Sequence, residues 1–209
     1  IRAMTGWHWL ALFAAILFAW VALYLMAVPQ ELRLAGEIYG KDFWIGLCTM
    51  TPDAAGYLRV LAMWLLMSAA MMAPTALPAF ATYDDLSSSG AETQLGKLAI
   101  GYLAVWAGFS VVAAAIQMLL FNFDLVSSFG DSRSVPLSAG LLLLAGIYQF
   151  SPQKEACLAK CRAPLTFFMQ YYDEGALKNG VRLGLVCLGC CWALMLLAFV
   201  GGVMNIAFM

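Results

Sequence analysis

The sequence predicts an all-α fold: a polytopic transmembrane helix bundle in a single domain over residues 1–209. Three observations carry that reading. Hydrophobic residues make up 64% of the 209 residues and charged residues 11%, against about 25% charged in an average soluble domain. Several apolar runs reach the roughly 20 residues needed to cross a hydrocarbon core about 30 Å thick. The net charge is −1, and no basic stripe suggests a nucleic-acid partner. The partner that the composition does imply is the lipid bilayer.

At least five spans are expected, at about 7–28, 54–81, 97–121, 136–161 and 177–200. The first, Trp7 to Val28, is longer than the apolar core of a signal peptide, which runs about 7–15 residues. Trp7, Trp9 and Tyr24 sit near its ends, where aromatic belts lie. His8, the single histidine, reads as an interfacial group and not as a ligand. Residues 30–52 form a loop in which Asp42-Phe-Trp-Ile-Gly-Leu can lie along the interface. Cys48 in that loop reads as a small hydrophobe. Asp53, after Pro52, signals the start of the second span.

In the second span Met63, Met67 and Met71 fall at i, i+4 and i+8, a thioether stripe with Met72 beside it. Ordinary packing explains such a stripe too, since Met fills irregular gaps. Pro74 and Pro78 are expected to kink or break this helix near its end, and Tyr83 to Gly96 reads as a flexible polar loop. The third span offers Gly101, Ala104 and Gly108 for close helix contact. Gln117 there reads as a cross-helix hydrogen bond, and nothing in that span suggests chemistry. After a loop from Asn122 to Val135, Pro136 is well placed to start the fourth span. That span is interrupted at Ser151-Pro152 and carries Cys157 and Cys161, four apart on one face. The spacing suits two ligands better than an intrahelical disulfide, because the Cβ vectors run roughly parallel. Lys154, Lys160 and Arg162 read as anchors at the interface.

Residues 165–176 read as an interfacial connector into the fifth span, which holds the densest feature of the chain. In Cys187-Leu-Gly-Cys190-Cys191-Trp192, half of the six cysteines fall at i, i+3 and i+4. All three sulfurs therefore share one helix face, and Met195 continues it. Gly180 and Gly184 form a G-x-x-x-G pair that admits a neighbouring helix. Gly201-Gly202 breaks the run, and Val203 to Met209 is expected to open a sixth helix that continues past Met209.

With five spans, Arg2, Lys97, Lys154, Lys160, Arg162, Lys178 and Arg182 fall on one side of the bilayer. Arg33, Lys41, Arg59 and Arg133 fall on the other, which places the N-terminus inside. On this topology two helices offer thiols (Cys157, Cys161, Cys187, Cys190, Cys191) and a third offers thioethers (Met67, Met71, Met72) at overlapping depth. Soft sulfur without carboxylate or imidazole neighbours selects copper(I). Zinc fits less well, since His8 cannot complete a mixed site, although a four-cysteine site stays open. Haem attachment through C-x-x-C-H is excluded by Trp192 after Cys191. A membrane thiol–disulfide oxidoreductase is a second reading, from C-x-x-C and the vicinal pair, although thiols buried in hydrocarbon react poorly. A structural accessory subunit of a larger membrane complex is a third. No enzymatic activity is implied.

The blocks Met67-Ser-Ala-Ala-Met-Met-Ala-Pro74, Tyr148-Gln149 with Pro152 and Lys154, and Cys157-Leu158 with Cys161-Arg162-Ala-Pro164 occur in that order. Gly184 through Cys187, Cys190-Cys191-Trp192 and Met195 follow, then Gly201 through Met204-Asn205 to Met209. Together they resemble a bacterial family of predicted metal-binding integral membrane proteins, a domain of unknown function. The likeness covers nearly all of the chain after the first loop. It implies metal binding in a bacterial inner membrane. Some relatives are linked to copper supply for copper oxidases, so a chaperone role toward a copper-requiring oxidase is implied with it. Family members continue into another helix where this chain stops.

Overall fold

The computed structural model describes residues 7–26, 52–87, 94–127 and 130–203. Among them the structure is helical, apart from one isolated antiparallel bridge between Val126 and Ser132. In chain order the helices are α1 (Trp7–Met26), α2 (Ala54–Ser87), α3 (Leu95–Asn122), α4 (Val135–Gln149) and α5 (Pro152–Arg162). They continue with α6 (Pro164–Tyr171), α7 (Ala176–Met195) and the short α8 (Ala198–Gly201). Four stretches are long and apolar enough to cross a membrane: α1, α2, α3, and α7 taken with α8. The bent pair α4–α5 makes a fifth if it counts as one span. Cys48, the Asp42–Leu47 segment and the expected sixth helix lie outside the described residues.

Asp53 caps α2 as expected, its Oδ1 accepting from the Gly56 N–H at 2.9 Å. The expected break at Pro74 and Pro78 does not occur, because α2 runs as one helix of 34 residues through both prolines. Pro74 has no N–H for the carbonyl of Ala70, four residues back. The Trp20 indole N–H on α1 donates to that carbonyl at 3.0 Å, so the group that Pro74 frees is not orphaned. In consequence Tyr83 and Asp84 belong to the helix and not to a loop. Tyr83 is buried against Phe168 of α6, and Asp84 accepts from the Trp9 indole at 3.1 Å.

These bonds also fix directions. Trp9 meets Asp84 and Trp20 meets Ala70, so α1 and α2 are antiparallel. Trp64 donates to Gln117 at 2.6 Å, Ser68 pairs with Ser110, and Tyr102 donates to Met72, so α2 and α3 are antiparallel as well. Gln117 is thus the cross-helix bond expected of it. The pair α3 and α7 is different. Leu98 lies on Gly180 and Tyr102 on Gly184, so residue numbers rise together and the two helices run parallel. Parallel neighbours require the chain to return the length of the bundle between them, and the bent pair α4–α5 makes that return.

The closeness of α3 and α7 follows from three glycines. A Cβ on Gly180 would strike the Leu98 backbone, one on Gly101 would strike Leu177 and Val181, and one on Gly184 would lie 2.9 Å from Val105 Cβ. Gly108 has open space around it and Ala104 is exposed, so the contact stripe of α3 is shorter than its small residues suggest. The expected fourth span is two helices meeting at 63°. Phe150 ends α4, and Ser151 starts α5 by accepting from the Lys154 N–H. Residues 165–176 are more than a connector: Phe168 of α6 is fully buried and Phe167 nearly so. The fifth span divides at Leu196-Leu197, so that α8 can seat Phe199 on Trp64, ring centroids 5.5 Å apart.

Candidate metal centre

α7 presents its buried face to α3, and the cysteines stand on it. Cys187 and Cys190 are each 6% exposed, while Cys191 is half-buried. Their three sulfurs lie within 4.8 Å of one another, close enough to hold one metal ion. Cys190 Sγ is 3.2 Å from Cys191 Sγ and donates to the Cys187 carbonyl at 3.0 Å. The helical repeat alone produces this grouping, as the spacing of the cysteines predicts.

α5 adds the other two thiols. It packs along α7, and both of its cysteines are half-buried. Cys161 comes near Cys190 across the helix pair. The Cys157 sulfur fills the space where a side chain at Gly189 would start, 2.7 Å from that Cβ position. Gly189 is therefore the notch that lets α5 bring its sulfur up to α7. Tyr148, at the end of α4, closes the same corner by donating to the Gly189 carbonyl and stacking edge-on against Trp192 at 5.0 Å.

The methionines are placed differently. Met67 and Met72 are buried and Met71 is half-buried, all on α2. α3 stands between α2 and the cysteine helix. Met72 is tied to the cluster through its backbone carbonyl, not its thioether. The Tyr102 hydroxyl donates to that carbonyl at 2.8 Å and lies 3.2 Å from Cys187 Sγ. Thr75 Oγ1 donates to the same carbonyl at 2.8 Å.

The third span contributes a contact that the sequence reading did not single out: a fully buried phenol, Tyr102 on α3, touches a cluster sulfur. A signal for it was present in sequence, since Tyr102 adjoins Gly101, the small residue that marks the helix contact. Gly189 was legible in hindsight too, as the one glycine inside the cysteine run.

The family model for PpoB2, described as a copper chaperone, matches residues 61–209. The chain belongs to that copper-chaperone family. The match includes all five clustered cysteines, Tyr102 and the methionines of α2, and excludes α1 with His8. No curated protein and no solved structure matches the chain. The donor set agrees with the family's cargo: five thiols on two packed helices, with no carboxylate or imidazole on the cluster face of α7. Sulfur-rich sites of this kind suit a soft ion.

Proposed function

We propose that this chain is an integral protein of a bacterial inner membrane that holds copper(I) between α5 and α7 and delivers it. The recipient is a copper-requiring oxidase or another membrane complex assembled with copper. The observation that carries the reading is the trio of Cys187, Cys190 and Cys191 sulfurs within 4.8 Å on one buried helix face. Thiolates without harder donors favour copper in its +1 state over zinc, which more often takes mixed or four-cysteine sites. Cys161, next to Cys190, supplies a further ligand, and Cys157 at the notch is the first or last sulfur an ion meets. Met67, Met71 and Met72 are reserve thioether donors at the same depth.

Membrane insertion is supported by the apolar helices, and the parallel course of α3 and α7 supports reading α4–α5 as a full crossing. Five crossings with Lys154, Lys160, Arg162, Lys178 and Arg182 on one side put the N-terminus in the cytoplasm. Spare sulfurs matter for delivery. An ion held by two or three thiolates can exchange them one at a time, so it never passes through a bare intermediate.

Protein purified without oxygen is expected to carry copper by mass spectrometry of its metal content. The Cys190→Ser, Cys191→Ser double variant is expected to lose it while keeping its helical content. Unchanged copper in that variant would remove the site. A thiol–disulfide reading has one observation in its favour, the 3.2 Å separation of Cys190 and Cys191 sulfurs. A free-thiol count on the same sample decides it: paired thiols without metal would favour redox chemistry.

A further inference from the structure

Tyr102 sits where a copper-loaded Cys187 needs a hydrogen-bond donor. Its hydroxyl has no access to water and two acceptors in reach, the Met72 carbonyl at 2.8 Å and Cys187 Sγ at 3.2 Å. While Cys187 is a thiol, the bonds run in one direction. The S–H donates to the phenol oxygen, and the phenol O–H donates to Met72. Two neighbours are redundant in that state. Thr75 Oγ1 already donates to the Met72 carbonyl at 2.8 Å. The Trp106 indole N–H, one helical turn from Tyr102 and beside its hydroxyl, is buried without a partner.

We propose that Tyr102 is a positioning residue for the metal site, its hydroxyl turning from Met72 to Cys187 when copper displaces the thiol proton. The proposal rests on the copper reading above. Each consequence of the turn is met by a group already in place. The thiol proton leaves to water, and Tyr102 keeps its own proton and merely changes acceptor. The sulfur, now bound to the ion and carrying negative charge in an apolar interior, gains a donor. Met72 keeps the Thr75 hydroxyl, and the phenol oxygen lone pair vacated by the S–H becomes free for the unpartnered Trp106 N–H, one helical turn away. A tyrosine present only for packing would need none of these duplicates.

The test uses the full chain in detergent, without oxygen, titrated with copper(I) against a chromophoric chelator. Tyr102→Phe is expected to weaken copper binding by about 10–100-fold, the usual effect of losing an outer-shell partner. In the copper-free state the same variant is expected to move one S–H stretching band to higher frequency, because Cys187 loses its acceptor. In the wild-type chain with ring-labelled tyrosine, copper loading is expected to shift the C–O band of one tyrosine, a shift absent from Tyr102→Phe. Equal affinity in Tyr102→Phe, or wild-type tyrosine bands unmoved by loading, overturns the proposal and leaves the copper reading standing. A wild-type chain that takes no copper overturns both. If Tyr102→Phe fails to fold, the infrared difference of the wild-type chain decides alone.

Discussion

The two cysteine-bearing helices are built on opposite principles. α7 buries Gly180, Leu183, Gly184, Cys187 and Cys190 along one face, and its backbone touches the backbone of α3. α5 has no buried residue at all. It hangs from a 63° bend and leans on α7 through half-buried side chains. One helix holds its sulfurs in a fixed frame, and the other offers sulfurs that can withdraw. A site that must grip an ion and also release it needs both kinds of ligand. Neighbouring positions in space thus get different freedom from different packing, although the residue type is the same.

The largest effect that would break this contrast comes from adding one methyl group at two places on α7. Gly180→Ala drives its Cβ into the Leu98 backbone, and neither helix can give without losing the whole contact. We expect a loss of about 3 kcal/mol or more in detergent unfolding, at or above the usual range for overpacking. Gly189→Ala meets the sulfur of Cys157, a side chain that can turn away. Its unfolding midpoint is expected to stay near wild type while Cys157 becomes the most rapidly alkylated cysteine, read by peptide mass spectrometry. Equal destabilisation by both variants would mean that α5 is as rigidly held as α7.

A second test exchanges sulfur for oxygen in each helix. Cys187→Ser is expected to weaken copper(I) binding by more than about 100-fold, beyond the cost of losing an outer-shell group. Cys157→Ser is expected to cost less than about 10-fold at equilibrium and instead to slow the passage of copper to a competing chelator. Chelator titrations and stopped-flow transfer on the same samples separate the two. A Cys157→Ser variant as weak as Cys187→Ser would place Cys157 in the fixed part of the site.

The same contrast explains what was legible in the sequence. The α7 cluster and the small-residue face of α7 were readable because each depends on spacing within one helix: 187, 190 and 191 share a face, and Gly180 with Gly184 clears a path for a neighbour that the sequence does not name. The helical class and most helix limits followed from apolar run length in the same local way. Long-range relations were not readable. Pro74 is a helix breaker by its own chemistry, and the carbonyl it frees is met by a tryptophan 54 residues earlier, Trp20. Tyr102 looks like packing until Cys187, 85 positions away, is placed on its hydroxyl. Phe167 and Phe168 read as interfacial because their burial depends on Tyr83, in a helix that the prolines were expected to end. Local rules fail where a distant side chain supplies what the backbone lacks.

The smallest expected effect is the sharpest probe of how α5 is hinged. Tyr148 stands just before the bend, donates to the Gly189 carbonyl and stacks on Trp192. Tyr148→Phe keeps the ring on the indole and removes only the hydroxyl. Gly189 lies inside α7, so its carbonyl also faces the N–H one turn on, and nothing buried is orphaned. The stability cost should therefore be about 1 kcal/mol or less. The consequence falls on the hinge instead: with one tie fewer between the bend and α7, Cys157 should leave the Gly189 notch more often. Its alkylation rate should rise while that of Cys187 stays unchanged, since Cys187 depends on α3 and not on α4. If both rates rise together, the two helices open as one unit, and the division between gripping and releasing sulfurs does not hold.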